Sequence, residues 1–128
     1  MTIVSSINAR RPAYFSLDSC RNKDINKVKI NVGNGFPHEL VKFIVSYRLQ
    51  QNGHDVVTEG IFRNGKRCDL IDLTSNVIYE VLNTERIENI DLKQAKYPAK
   101  IYPLFVKDLN FIGSLDSLRN SYDKKLEI

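Results

Sequence analysis

Two acids stand inside the apolar stretch RCDLIDLTSNVIYEVLNTE, residues 67–85: Asp69 and Glu80. A carboxylate in such a run is costly to bury unless something positive meets it. The stretch reads as two strands joined by a Thr74-Ser75-Asn76 turn. Side chains alternate faces along a strand, so Asp69 shares a face with Ile71 and Leu73, and Glu80 with Ile78 and Leu82. In a matching register the two acids converge. Paired carboxylates suit a hard divalent cation, because Mg²⁺ is held by one or two of them and completed by water and phosphate oxygens. Glu39 could add a third carboxylate. Without a cation, clustered acids repel and raise one another's pKa. The ordinary alternative is that both strand acids lie at exposed ends beside surface lysines. Glu39 would then answer only to a helix dipole.

The elements that would position these residues follow from local pattern. PHELVKFIVSYRLQQNG predicts an amphipathic helix over about 37–52, with Leu40, Phe43, Ile44, Tyr47 and Leu49 near helical spacing. Pro37 suits its first turn, Glu39 its positive end, and Asn52-Gly53 its stop. Val56, Val57, Ile61 and Phe62 predict a strand. Arg63-Asn64-Gly65-Lys66 predicts a hairpin with a type I′ turn. Strands over about 67–73 and 77–82 follow. ERIENIDLKQAKY reads as a helix to Tyr97, limited by Pro98. A fourth strand covers about 100–106, and Pro103 in it argues for an edge or a bulge. Residues 114–126 read as a last helix, with Leu115, Leu118 and Tyr122 on one stripe and Ser114 as its N-cap. VKINV, residues 28–32, alternates like a short strand. Residues 1–34 form an N-terminal arm or extension, and 35–128 one mixed α/β domain.

Bulk properties set the class. The chain has 128 residues, 42% apolar and 27% charged, with a net charge of +4. That is one domain's worth of core and an ordered composition. The mild basic excess permits a nucleic-acid partner without demanding one. Cys20 and Cys68 lack metal-ligand spacing and read as reduced thiols. No apolar run approaches the length of a membrane helix and the N-terminus has no signal-peptide core, so a cytoplasmic protein with no membrane partner is expected.

The path from Glu39 through a hairpin to G-K-R-C-D69 and Y-E80-V-L resembles the core of the PD-(D/E)XK nuclease superfamily over about residues 37–106. The element order αβββαβ also fits. The resemblance implies a restriction-endonuclease-like fold, a mixed central sheet flanked by helices. It implies Mg²⁺, or Mn²⁺ in its place, held by Asp69, Glu80 and the Val81 carbonyl, with Glu39 assisting. The implied activity is phosphodiester hydrolysis in DNA or, less often, RNA. Nucleases of this size often act as homodimers. One position departs from the pattern. The family's lysine, two residues after the Glu, is replaced by Leu82, which cannot orient water or stabilise charge. Some members recruit a lysine from the following helix. Here that points to Lys93, with Lys96 and Lys42 as further choices. Gln94 and Tyr97 loosely match a Gln and Tyr pair found near the site in part of the superfamily.

Arg63, Lys66 and Arg67 flank the hairpin and could touch phosphates, which gives affinity without base reading. Arg10 and Arg11 would add a basic arm. Their plain reading is solubilising charge. His38 and His54 border structural breaks, and of the two only His38 adjoins an expected site residue. Three functional readings follow. The first is a metal-dependent nuclease using Glu39, Asp69, Glu80 and Lys93. The second is a catalytically inactive nuclease-fold protein that binds nucleic acid or serves assembly, which Leu82 favours. The third is a protein-interaction subunit using aromatic residues of the arm.

Overall fold

The computed structural model describes residues 16–18, 24–83 and 88–108, with positions 117, 120–123, 125 and 126 near the C-terminus. Helix α1, Phe36–Gln51, leads into three antiparallel strands: β1, Val56–Ile61, β2, Arg67–Asp72, and β3, Val77–Leu82. Helix α2, Glu88–Gln94, then carries the chain to β4, Lys100–Phe105, which pairs parallel with β3. The result is a mixed α/β fold with a four-stranded sheet in the order β1-β2-β3-β4. A parallel return of this kind needs a crossover, and α2 supplies it. Among the described residues no helix is long and apolar enough to cross a membrane.

The main core lies on one side of the sheet. Ile71, Leu73, Ile78, Leu82 and Ile101 pack there with Ile90 of α2. A smaller cluster of Val41, Val81 and Val106 joins α1 to the sheet. Leu17 also enters the main core, and bridges antiparallel to Phe62 at the end of β1.

Several expectations need correction. The hairpin after β1 is not a two-residue type I′ turn. Phe62 N–H donates to the Lys66 carbonyl and Gly65 N–H to the Phe62 carbonyl. That makes a three-residue loop in which Gly65, at φ 84°, takes the left-handed position and Asn64 does not. The Asn64 side chain instead accepts from Lys66 N–H and donates to the Lys96 carbonyl. Residues 28–32 form no strand. Lys29 N–H donates to the Thr58 hydroxyl, which donates to the Lys27 carbonyl, so a side chain replaces the ladder. Val32–Asn34 is a short 3₁₀ turn. Helix α2 ends at Gln94 rather than Tyr97. The Gln94 amide turns back, donating to the Ala99 carbonyl and accepting from Ile101 N–H, and this braces the start of β4. Pro103 does sit on an edge strand, as its missing N–H requires.

The largest difference is the face that α1 buries. Phe43 and Tyr47 are about half exposed, at 50% and 54%, while His38, Glu39, Lys42 and Ser46 are buried. The helix turns polar side chains to the sheet because acids wait for them there. Of the last helix, the described positions are helical, while Ser114, Leu115 and Leu118 lie outside the described residues, as do Arg10, Arg11 and Cys20.

Gly60 marks the tightest packing in β1. A Cβ there would lie 2.9 Å from Leu17 Cδ2 and 3.3 Å from Cys68 Sγ, both buried. Gly60→Ala is expected to cost about 1–2 kcal/mol through overpacking. A lowered urea midpoint with an unchanged slope would show it.

Candidate functional site

The β2–β3 register places Leu70 opposite Tyr79. The backbone ladder stops there, and one step further along Asp69 and Glu80 meet through side chains instead of a backbone pair. The two residues interlock. Glu80 Oε1 accepts from Asp69 N–H at 3.2 Å, and Asp69 Oδ2 accepts from Val81 N–H at 2.7 Å. The Val81 backbone therefore lies directly against the Asp69 carboxylate. Two expected site acids and the expected backbone ligand are neighbours.

Glu39 joins them through His38. On the first turns of α1, His38 Nδ1 lies 2.8 Å from Glu39 Oε2, and Nε2 lies 3.5 Å from Asp69 Oδ2. Glu39 Oε1 also accepts from Asn31 N–H and from Lys42 Nζ, the latter at 2.6 Å. Lys42 is wholly buried and reaches a further acid, Glu59 Oε1, at 2.9 Å. From the other side, Lys93 of α2 comes within 3.4 Å of Glu80 Oε2.

Glu59 is the residue that sequence reasoning missed. It sits mid-strand at φ 53°, a left-handed conformation that a non-glycine residue rarely takes. The β1–β2 ladder pairs Thr58 with Leu70 and Gly60 with Cys68 but skips Glu59, which would face Asp69. Its only sequence signal is an acid beside a glycine in an apolar strand. His38 had a weak signal, adjacency to Glu39. Lys42 had helical spacing, i to i+3, from the same residue.

The electrostatics follow from burial and proximity. Burial, and then the charge of Asp69, raise the Glu80 pKa to about 7 despite the opposing pull of Lys93. His38 is raised to about 9, chiefly by its contact with Asp69, with burial opposing and Glu39 adding. Burial works against ionised Glu39. Hydrogen bonds from Lys42, the Asn31 N–H and His38 outweigh it, so its pKa is lowered. Burial and the Glu80 charge push the Cys68 thiol well up, which makes it an inert core group.

The remaining expected residues divide in two. Arg63, Lys66 and Arg67 are exposed. Lys66, Lys93, Lys96 and Tyr97 line a surface hollow of about 160 Å³, and Arg63, Lys96 and Tyr97 a neighbouring one of about 360 Å³. A basic strip thus leads away from Glu80 and Lys93. Gln94 and Tyr97 serve the fold. Gln94 ties α2 to β4, while the Tyr97 hydroxyl donates to the Arg67 carbonyl and its ring packs on Phe62 at 5.2 Å. Leu82 is 1% exposed in the main core, so a lysine there would bury its ammonium among aliphatic groups.

Mg²⁺ fits this donor set in number. Asp69 and Glu80 are adjacent, and two carboxylates are enough when water and phosphate complete the shell. Among the described residues no three His, Cys, Asp or Glu side chains are grouped to hold a metal ion. A site built from the chain alone would thus be a two-carboxylate one. Compared with family models, curated proteins and solved structures, the chain matches none.

Two predictions follow from these charges. Lys42→Met leaves Glu39 and Glu59 without their shared cation and is expected to cost about 3–5 kcal/mol in urea unfolding. The second concerns pH. A raised carboxyl stabilises the fold below its unfolded pKa and loses that contribution as pH climbs through its folded value, so Glu80 acts between 4.5 and about 7. His38 acts between 6.5 and about 9 by the same sign. Thermal melts should therefore show falling stability across both windows. Glu80→Gln should flatten the first and His38→Gln the second, and unchanged profiles would refute the assignment.

Proposed function

We propose that this chain is a metal-dependent nuclease with a restriction-endonuclease-like core, hydrolysing phosphodiester bonds in DNA. The observation that carries this reading is the interlocked pair Asp69 and Glu80, in which burial and the Asp69 charge raise the Glu80 pKa. A protein that only binds phosphates gains nothing from such a pair, because it repels the backbone.

Asp69, Glu80 and the Val81 carbonyl would hold Mg²⁺ or Mn²⁺. Bound there, the cation would supply Lewis acidity at the scissile phosphate and a nucleophilic water. Glu80 would lose its proton as the site fills, since a cation favours the carboxylate. Glu39, fixed by Lys42, the Asn31 N–H and His38, would orient water on the α1 side. Lys93 takes the part that Leu82 cannot. It is partly exposed, and its 3.4 Å contact with Glu80 is loose enough to exchange for a phosphate oxygen. Lys42 is the poorer choice, because two carboxylates hold it inside the protein. Arg63, Lys66 and Lys96 would track the DNA backbone.

A second reading has its own support. The cations at the acids are already paired. His38, Lys42 and Lys93 stand against Glu39, Glu59, Asp69 and Glu80. Such a network is also what an inactive nuclease-fold module would retain for structure.

Cleavage assays on duplex, branched and single-stranded DNA with Mg²⁺ or Mn²⁺ separate the two. The nuclease should cut, and Asp69→Asn and Glu80→Gln should each lower the rate by about 10²–10⁴-fold. Glu80→Gln should also be more stable than the parent near pH 8, by on the order of 1–2 kcal/mol, since it removes a strained buried charge. Mg²⁺ should raise the melting temperature of the parent and not of Glu80→Gln. Salt-sensitive binding with no cleavage on any substrate would favour the inactive module.

A further inference from the structure

Glu59 has an unusual backbone and no part in the chemistry proposed above. Among the described residues three non-glycine residues hold a positive φ: Asn26, Asn76 and Glu59. The two asparagines stand in turns, where a short polar side chain makes the left-handed region tolerable. Glu59 stands inside β1. Gly60, which could take such an angle without steric cost, is the next residue and does not take it. The angle therefore falls on the acid. The β1–β2 ladder skips Glu59 between the Thr58 and Gly60 pairs, and the Glu59 carboxylate reaches Lys42 Nζ at 2.9 Å.

From Lys42 a single file of contacts leads to the paired acids. Lys42 donates to Glu39 Oε1 at 2.6 Å. Glu39 Oε2 meets His38 Nδ1 at 2.8 Å, and His38 Nε2 lies 3.5 Å from Asp69 Oδ2. Asp69 Oδ2 in turn accepts from Val81 N–H. We propose that Glu59 is a positioning residue: its left-handed backbone carries a carboxylate to Lys42, and Lys42 thereby holds Glu39 and His38 where they set Asp69. What the site does with that order rests on the nuclease reading. The order itself does not, since every contact in it forms without metal or substrate. Two arguments support the assignment. Glu39 already matches the wholly buried Lys42 one for one, so charge balance needs no second acid, and a second one adds repulsion. What Glu59 adds is direction, because it ties the lysine of α1 to β1. The second argument is the angle. Strain of this kind persists where the geometry of a site requires it.

Amide hydrogen exchange of the metal-free chain, read beside melting and cleavage, tests the proposal. Glu59→Gly relaxes the backbone and removes the carboxylate. Its melting temperature should equal or exceed that of the parent. Its Asn31 and Val81 amides, which end on Glu39 and Asp69, should nevertheless exchange at least about tenfold faster, while the other amides of β2 and β3 keep their rates. Its cleavage should need more Mg²⁺ and run slower, by about 10–100-fold, as loss of an outer partner of a metal site does. Glu59→Gln keeps an acceptor at the same reach and should restore the parent exchange rates. Glu59→Asn suits the angle but is too short to reach Lys42, and decides the matter if Glu59→Gly fails to fold. Unchanged exchange at Asn31 and Val81 would overturn the proposal. So would faster exchange across the whole sheet with a lowered melting temperature, the mark of a merely structural role. The exchange rates decide this proposal even for a parent that cuts no substrate, an outcome that refutes only the nuclease reading.

Discussion

The clustering of four carboxylates beside the sheet, Glu39 and Glu80 buried and Glu59 and Asp69 half-buried, is the constraint that the rest of the molecule meets, and each finds a donor or a cation. Lys42 answers two of them and is wholly buried in doing so. His38 answers Glu39 again and adds Asp69, on two elements. The inner face of α1 is polar for this reason, and the helix is placed on the sheet by directional bonds as much as by packing. Beneath it, buried Val81 and Val106 meet Val41 of the helix itself in a small cluster. Hydrophobic contact tolerates sliding. Ion pairs of this geometry do not, so the position of α1 is fixed by the same bonds that fix the acids.

Local structure is bent to the same end. Glu59 holds a left-handed backbone in the middle of a strand, and the ladder gives up a pair beside it. Asp69 N–H goes to a side chain, Glu80 Oε1. Each departure costs stability, and strain of this type gathers where geometry matters more than stability. The main core, with Ile71, Leu73, Ile78 and Leu82 almost fully buried, supplies the compensating energy.

Much of this was legible in the sequence. The order helix, three strands, helix, strand follows from hydrophobic period and breaker residues, and the structure has it. Asp69 and Glu80 were expected to converge, and they do so through hydrogen bonds between each side chain and the other strand's backbone. What sequence hid was direction. Apolar spacing in α1 marks a stripe but not what lies beneath it. The apolar stripe of Phe43 and Tyr47 lies outward, because the acids claim the inner side. Glu59 left only a faint mark, an acid beside a glycine, because its role depends on a backbone angle. The hairpin was assigned to the wrong turn because Asn64 spends its side chain on Lys66 and Lys96, which no local pattern reveals. Gln94 and Tyr97 illustrate the same limit: their bonding partners lie on β4 and β2, well outside the helix that carries or precedes them.

The turned-back Gln94 has a wider consequence. Its amide donates to the Ala99 carbonyl and accepts from Ile101 N–H, as one residue of a neighbouring strand would. Two residues on, the outward position is Pro103, which has no N–H to offer. The outer margin of β4 is therefore occupied at one rung and blank at the next. An extended peptide, or the margin of another sheet, finds no ladder to join there. The molecule is closed to growth by strand addition on that side, and this protection against aggregation is written in two side chains, Gln94 and Pro103.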